Sequence, residues 1–108
     1  MSATTPDSDV AARERQRAAR MSIGEISNHV HNYTWPRRAG KSSAGPLEAW
    51  RAGEPVHYPG AANGVVARWH RETNTILLAR MGCLVTVIPV DDRSQSERQY
   101  IRNQVTDR

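Results

Sequence analysis

The 108-residue chain has one cysteine, one lysine and no apolar run near the ~18 residues a membrane span requires. A single thiol excludes an internal disulfide framework and suits a reducing compartment. Cys83 sits among the apolar residues of GCLVTVIPV and reads as a small core residue. The opening MSATTPDSDVAARERQR is polar and partly acidic, which is no secretory signal. These absences lead us to expect a cytoplasmic protein that does not engage membranes. Internal repeats are also lacking. With 38 % hydrophobic residues and a mean hydropathy of −0.68, the chain can build one modest core.

What is abundant is arginine. Basic residues outnumber acidic ones 15 to 11, the net charge is +4, and 14 of the 15 basic residues are arginine. Arginine forks favour bidentate contacts with phosphate or carboxylate. GC-rich codon usage produces the same bias, so the charge hints at anionic partners and does not identify one.

Residues 1–9 are rich in Ser, Thr, Asp and Pro, and residues 10–20 are good helix formers with little to bury. We therefore expect 1–21 to be a disordered or frayed helical tail and 22–108 to be a single domain, with Met21 an alternative start. Ser22 and Glu25 have capping-box spacing, and Ile23, Ile26, Val30 and Tyr33 form one helical face, predicting a helix over 22–34 that Pro36 ends. PLEAWRAG predicts a second helix over 46–52, with Pro46 in the first turn and Gly53 past the end. The pattern then changes to strands near 55–58, 65–70, 75–80 and 83–90, the last three joined by turns short enough for hairpins. CLVTVIPV is apolar on both alternating faces and reads as the central strand. Ser94 and Glu97 open a C-terminal helix over 94–105. The expected fold is α+β: a four-stranded antiparallel sheet with N-terminal helices and a C-terminal helix.

Two histidines, two arginines and a lysine crowd the stretch NHVHNYTWPRRAGK. On a helix His29 and His31 point about 200° apart and cannot share an ion, and no metal is expected. Measured from the apolar stripe, His29 lies about 80° away at the rim and His31 about 120° away toward solvent. On the strands, Arg68 and His70 leave one face while Ala67 and Trp69 leave the other. Arg80 ends the following strand, and Thr86 is a hydroxyl in an apolar run. Sharing one face, Arg68, His70, Arg80 and Thr86 would make a cationic floor. Such a floor suits metal-free phosphodiester transesterification, with histidine moving protons and arginine stabilising the phosphorane. His57, in an edge-like strand beside turn residues, ranks below His29 for this work. Arg37, Arg38 and Lys41 would extend the phosphate-binding surface.

The order of these elements, with His29 in the first helix, EAWRAGEPV at 48–56 and LVTVI at 84–88, resembles the superfamily of small ribonucleases that includes barnase, RelE-type toxins and colicin-type tRNases. The resemblance covers about residues 22–90. Members of this type often place an arginine a few residues after the helical histidine, within the same helix, whereas here NYTWP stands there and Arg37 and Arg38 follow the proline. The resemblance implies a metal-independent endoribonuclease without cofactor, either the toxin of a toxin–antitoxin pair or a mobile-element protein. Its partners would be RNA, ribosome-associated or tRNA, and an antitoxin protein. His29, with His70 as the alternative, would carry the acid–base step, Arg68 and Arg80 the charge stabilisation, and Thr86 the positioning. The competing readings are a non-catalytic nucleic-acid-binding or regulatory protein of the same fold, and a small interaction protein whose helices dock to a partner.

Overall fold

The computed structural model describes residues 9–31, 35, 45–62 and 64–106. Its described elements are helix α1 (Asp9–Arg20), strand β1 (Glu25–Ile26), helix α2 (Pro46–Ala52) and strands β2 (Glu54–Val56), β3 (Val65–His70), β4 (Thr75–Arg80) and β5 (Cys83–Pro89). A 3-10 turn, Val90–Asp92, then leads to helix α3 (Gln95–Thr106). The fold is α+β, with one five-stranded sheet in the order β1-β5-β4-β3-β2. β2 to β5 form the expected antiparallel set, and β1 adds a short parallel pairing, Glu25 to Cys83 and Ile26 to Leu84. The sheet is thus five-stranded and mixed, where four antiparallel strands were expected.

The extra strand replaces the start of the expected 22–34 helix. Gly24 and Glu25 both donate to Gly82 O, and Ser27 N donates to Leu84 O, so this backbone is drawn onto the sheet edge. Helical turns begin only after Ser27, whose hydroxyl accepts from Val30 N at 3.2 Å. The cap is therefore Ser27 and not Ser22, because sheet pairing satisfies the backbone groups that a helix over 22–26 would otherwise have satisfied. The turn from β4 to β5 has Met81 and Gly82 at φ 51° and 80°, the left-handed pair that a two-residue hairpin demands.

Two apolar layers flank the sheet. On one face Val66, Leu77, Ala79, Leu84 and Val87 pack with Ala18, Val30, Trp35, Ala49 and Trp50. On the other, Val56, Ala67, Trp69, Ile76 and Leu78 pack with Ile101 and Val105 of α3. The segment expected as a frayed tail is, from Asp9, a helix with Ala11 and Ala18 fully buried. Its buried face is made of small residues, which carry little hydrophobic signal yet let a helix approach a sheet closely. The central strand is β4, not β5: β4 is buried at every residue but Arg80, whereas Val85, Thr86 and Ile88 of β5 are half-buried. α3 lies toward the β2 side of its face, which leaves the β5 side partly open.

Candidate active site

Strand register splits the expected cationic floor. Arg68 pairs with Leu77 and Leu77 with Val87, which places Arg68 and His70 on the face covered by α1 and α2. Arg80 pairs with Val65, and Thr86 with Leu78, so those two lie on the α3 face. The four residues do not meet. Arg80 itself is exposed and lies alongside Gly64, where a Cβ would sit 3.8 Å from Arg80 Nε.

Arg68 holds the scaffold. Its Nε donates to Ala18 O at 3.0 Å, Nη2 to Ala19 O at 3.2 Å and Nη1 to Trp50 O at 2.8 Å. The guanidinium also lies 4.4 Å above the Trp50 ring. The carbonyls of a helix's last turn lack intrahelical partners, and one fork here serves the last turns of both α1 and α2. The approach is close enough that a Cβ at Gly53 would fall 3.0 Å from Arg68 Cβ.

His70 is enclosed, at 4 % exposure. Its Nδ1 is 2.8 Å from Thr73 Oγ1, which is 2.7 Å from the buried Thr75 Oγ1, and Trp35 lies beside the ring at 6.0 Å. Burial lowers its pKa, against a smaller upward pull from Glu72. His57 is also lowered, first by burial, with Glu14 opposing and Arg15 reinforcing. A histidine depressed in the folded state binds its proton more readily when unfolded, so stability is complete above the unfolded value near 6.5 and falls as pH drops below it. Urea unfolding should therefore show lower stability at pH 5.5 than at 7.5. His70→Gln should flatten that difference, and an unchanged slope would mean that His70 does not contribute to it.

His29 and His31 both lie exposed on the turns after Ser27, so the expected distinction between rim and solvent does not hold. Arg37, Arg38 and Lys41 fall outside the described residues.

The histidine that the fold sets among functional groups is His57. Its Nδ1 lies 2.6 Å from Tyr100 Oη. Its backbone is gripped by Gln104, which accepts from His57 N at 2.6 Å and donates to His57 O at 2.9 Å. The Gln104 amide thus pairs with the backbone just past the end of β2 as a neighbouring strand would, and covers polar groups left open there. Arg15 Nη1 donates to the same Gln104 oxygen at 3.3 Å, tying α1 to α3 across the edge strand. Burial raises the Tyr100 pKa, so the phenol keeps its proton at neutral pH. His57 lines a cleft of about 320 Å³ between α1 and the β2–β3 connection, whose lining includes Glu14, Arg17, Tyr58 and Gly64. Arg17 is paired with Glu14 at 3.3 Å on the surface, a weak tie that a phosphate can displace. Sequence spacing does not reveal this cluster, because Tyr100 and Gln104 lie 43 and 47 residues from His57.

Among the described residues no group of three or more His, Cys, Asp or Glu side chains is placed to hold a metal ion, and no helix is long and apolar enough to cross a membrane. No curated protein and no solved structure matches the chain significantly. Residues 26–91 match the family model described as "Putative RelE superfamily toxin domain". That segment runs from Ile26, the second residue of β1, into the 3-10 turn after β5. It contains β2 to β5 with His57, Arg68 and Arg80, while Arg17 and Tyr100 come from the flanking helices. As the match spans more than half of the chain, this protein belongs to the RelE superfamily toxin domain family.

Proposed function

We propose that the chain is an RNA-cleaving toxin, a metal-independent endoribonuclease acting by 2′-hydroxyl transesterification, and that an antitoxin protein restrains it. The observation that carries this reading is the His57–Tyr100 contact at a cleft edged by arginine, in a chain whose family is a toxin domain. When Nδ1–H donates to Tyr100 Oη, Nε2 keeps its lone pair and takes the 2′-hydroxyl proton. The 2′-oxygen then bonds to phosphorus, the bond to the 5′-oxygen breaks, and water protonates the departing oxygen. The lowered His57 pKa keeps the ring neutral and ready to accept at pH 7.

Arg17 and Arg80 supply the charge for the phosphorane. Thr86, which shares the α3 face with Arg80, is proposed to position that guanidinium on sequence grounds. Arg68 is assigned to the scaffold and His70 to the interior. His29 remains the second candidate for proton transfer, and Arg37, Arg38 and Lys41 are proposed as further phosphate contacts on sequence grounds.

The test is incubation of a generic RNA with the protein in EDTA, with analysis of the product ends. Cleavage should persist and leave 2′,3′-cyclic phosphates. Activity abolished by EDTA would overturn the metal-free mechanism. RNA bound without cleavage would favour the non-catalytic nucleic-acid-binding reading.

A further inference from the structure

The backbone of residue 57 is held from α3 and not by the sheet. β2 ends at Val56, whose register partner is Ala67, so the ladder stops one residue before His57. Gln104 takes over there with two bonds, Oε1 accepting from His57 N at 2.6 Å and Nε2 donating to His57 O at 2.9 Å. Tyr100, one helical turn earlier, meets the imidazole at Nδ1. One helix face thus fixes the main chain of His57 through one side chain and its ring through another. We propose that Gln104 is a positioning residue of the RNA-cleaving site, setting the direction in which His57 presents Nε2 to its cleft, and that Arg15 orients Gln104. The inference rests on the RNA-cleaving reading and adds to it the residues that aim its proton acceptor.

The amide has one orientation that satisfies its surroundings. Its oxygen faces two donors, His57 N and Arg15 Nη1 at 3.3 Å, and its nitrogen faces two carbonyls, His57 O and Tyr100 O at 3.4 Å. Turned over, it would set its N–H groups against a guanidinium that can only donate, and its oxygen against two acceptors. Gln104 is buried, at 6 % exposure, so bulk water does not replace a lost partner there. The helix that carries it is anchored by Ile101 and Val105 in the apolar layer on that face of the sheet. A group supported from a packed helix is held more precisely than one on a free loop. The direction of a side chain follows its Cα–Cβ bond, which the flanking peptide planes fix. Freeing those planes lets Nε2 swing, and a misplacement of about 1 Å costs up to about a hundredfold in rate.

Cleavage kinetics at about pH 8, where the His57 ring is neutral, separate aiming from titration. Gln104→Met keeps the length and helix preference of the side chain but makes none of its polar contacts. It should lower kcat by about tenfold to a hundredfold with KM for RNA unchanged. Arg15→Met leaves both bonds to residue 57 in place and should give a smaller fall, about threefold to tenfold. Arg15→Lys should restore most of it, since an ammonium also only donates. In a His57→Ala background neither Gln104→Met nor Arg15→Met should change residual cleavage by more than about twofold. Ring-nitrogen NMR reads the same geometry without turnover: wild type should hold the Nδ1–H tautomer facing Tyr100, and Gln104→Met should mix the tautomers. An unchanged kcat per folded Gln104→Met molecule would overturn the proposal, as would a loss that persists in full without the His57 ring. A wild type that binds but does not cleave RNA would remove the nuclease reading alone. The tautomers would then decide the positioning, and a Gln104→Met ring that keeps the wild-type tautomer would overturn it.

Discussion

His57→Ala is expected to lower RNA cleavage by about 10²–10⁴-fold while leaving RNA affinity nearly unchanged, the usual signature of a lost proton-transfer group. The fold should survive, because Gln104 holds the backbone of residue 57 and not its ring. Tyr100→Phe should give a smaller loss, since the imidazole remains but the group orienting it through Nδ1 is gone. The acid limb of the pH–rate profile should lie below the ordinary histidine value near 6.5, because burial lowers the His57 pKa and only the neutral ring accepts a proton. Cleavage assays on wild type and both variants across pH 5–8 measure all three effects. Wild-type rates in His57→Ala would move the proton transfer to His29.

The second large effect concerns stability. Arg68→Leu should cost about 3 kcal/mol and lower the melting temperature by roughly 10–20 °C. Three carbonyls of two helix ends lose a charged donor together, and Trp50 loses the cation above its ring. The three bonds do not add at full value, because part of the guanidinium meets solvent and water can reach the Ala19 carbonyl. Arg68→Lys should recover only part of the loss, as an ammonium on a flexible stem cannot span three acceptors in a fixed fork. Cleavage per folded molecule should match wild type in both variants. Lost cleavage with unchanged melting would return Arg68 to the phosphorane-stabilising role expected from its sequence context.

The expectations that succeeded and those that failed divide by the distance over which the deciding interactions act. Helix α2 has its expected bounds, β3 and β4 match residue for residue, and the Ser94–Glu97 cap opens α3. Each depends on neighbours within a turn of helix or a hairpin. The helix expected over 22–34 fails at its start because Gly82 and Leu84, some sixty residues on, take up its backbone donors. Ser22 and Glu25 have the spacing of a cap, but the sheet edge competes for the same groups and wins.

The candidate site divides in the same way. The alternation of VVARWH correctly separates Arg68 and His70 from Ala67 and Trp69. Which helices cover each face is not local information. α1 and α2 close over one face and turn Arg68 and His70 inward, so residues that resemble a catalytic floor become a clamp and an enclosed ring. His57 was expected in an edge strand near 55–58, but β2 ends at Val56 and His57 lies just past it, where α1 and α3 converge. Its partners arrive from the far end of the chain, and no periodicity connects them.

The sequence by itself determined the α+β class, the antiparallel run of four strands and the excess of cationic forks, because patterning, turn chemistry and composition act over a few residues. Only the tertiary structure decided the added parallel strand, the central place of β4, and which polar side chains share a cleft. Those follow from strand order and helix placement, where one residue's change of register moves a side chain to the opposite face of the sheet.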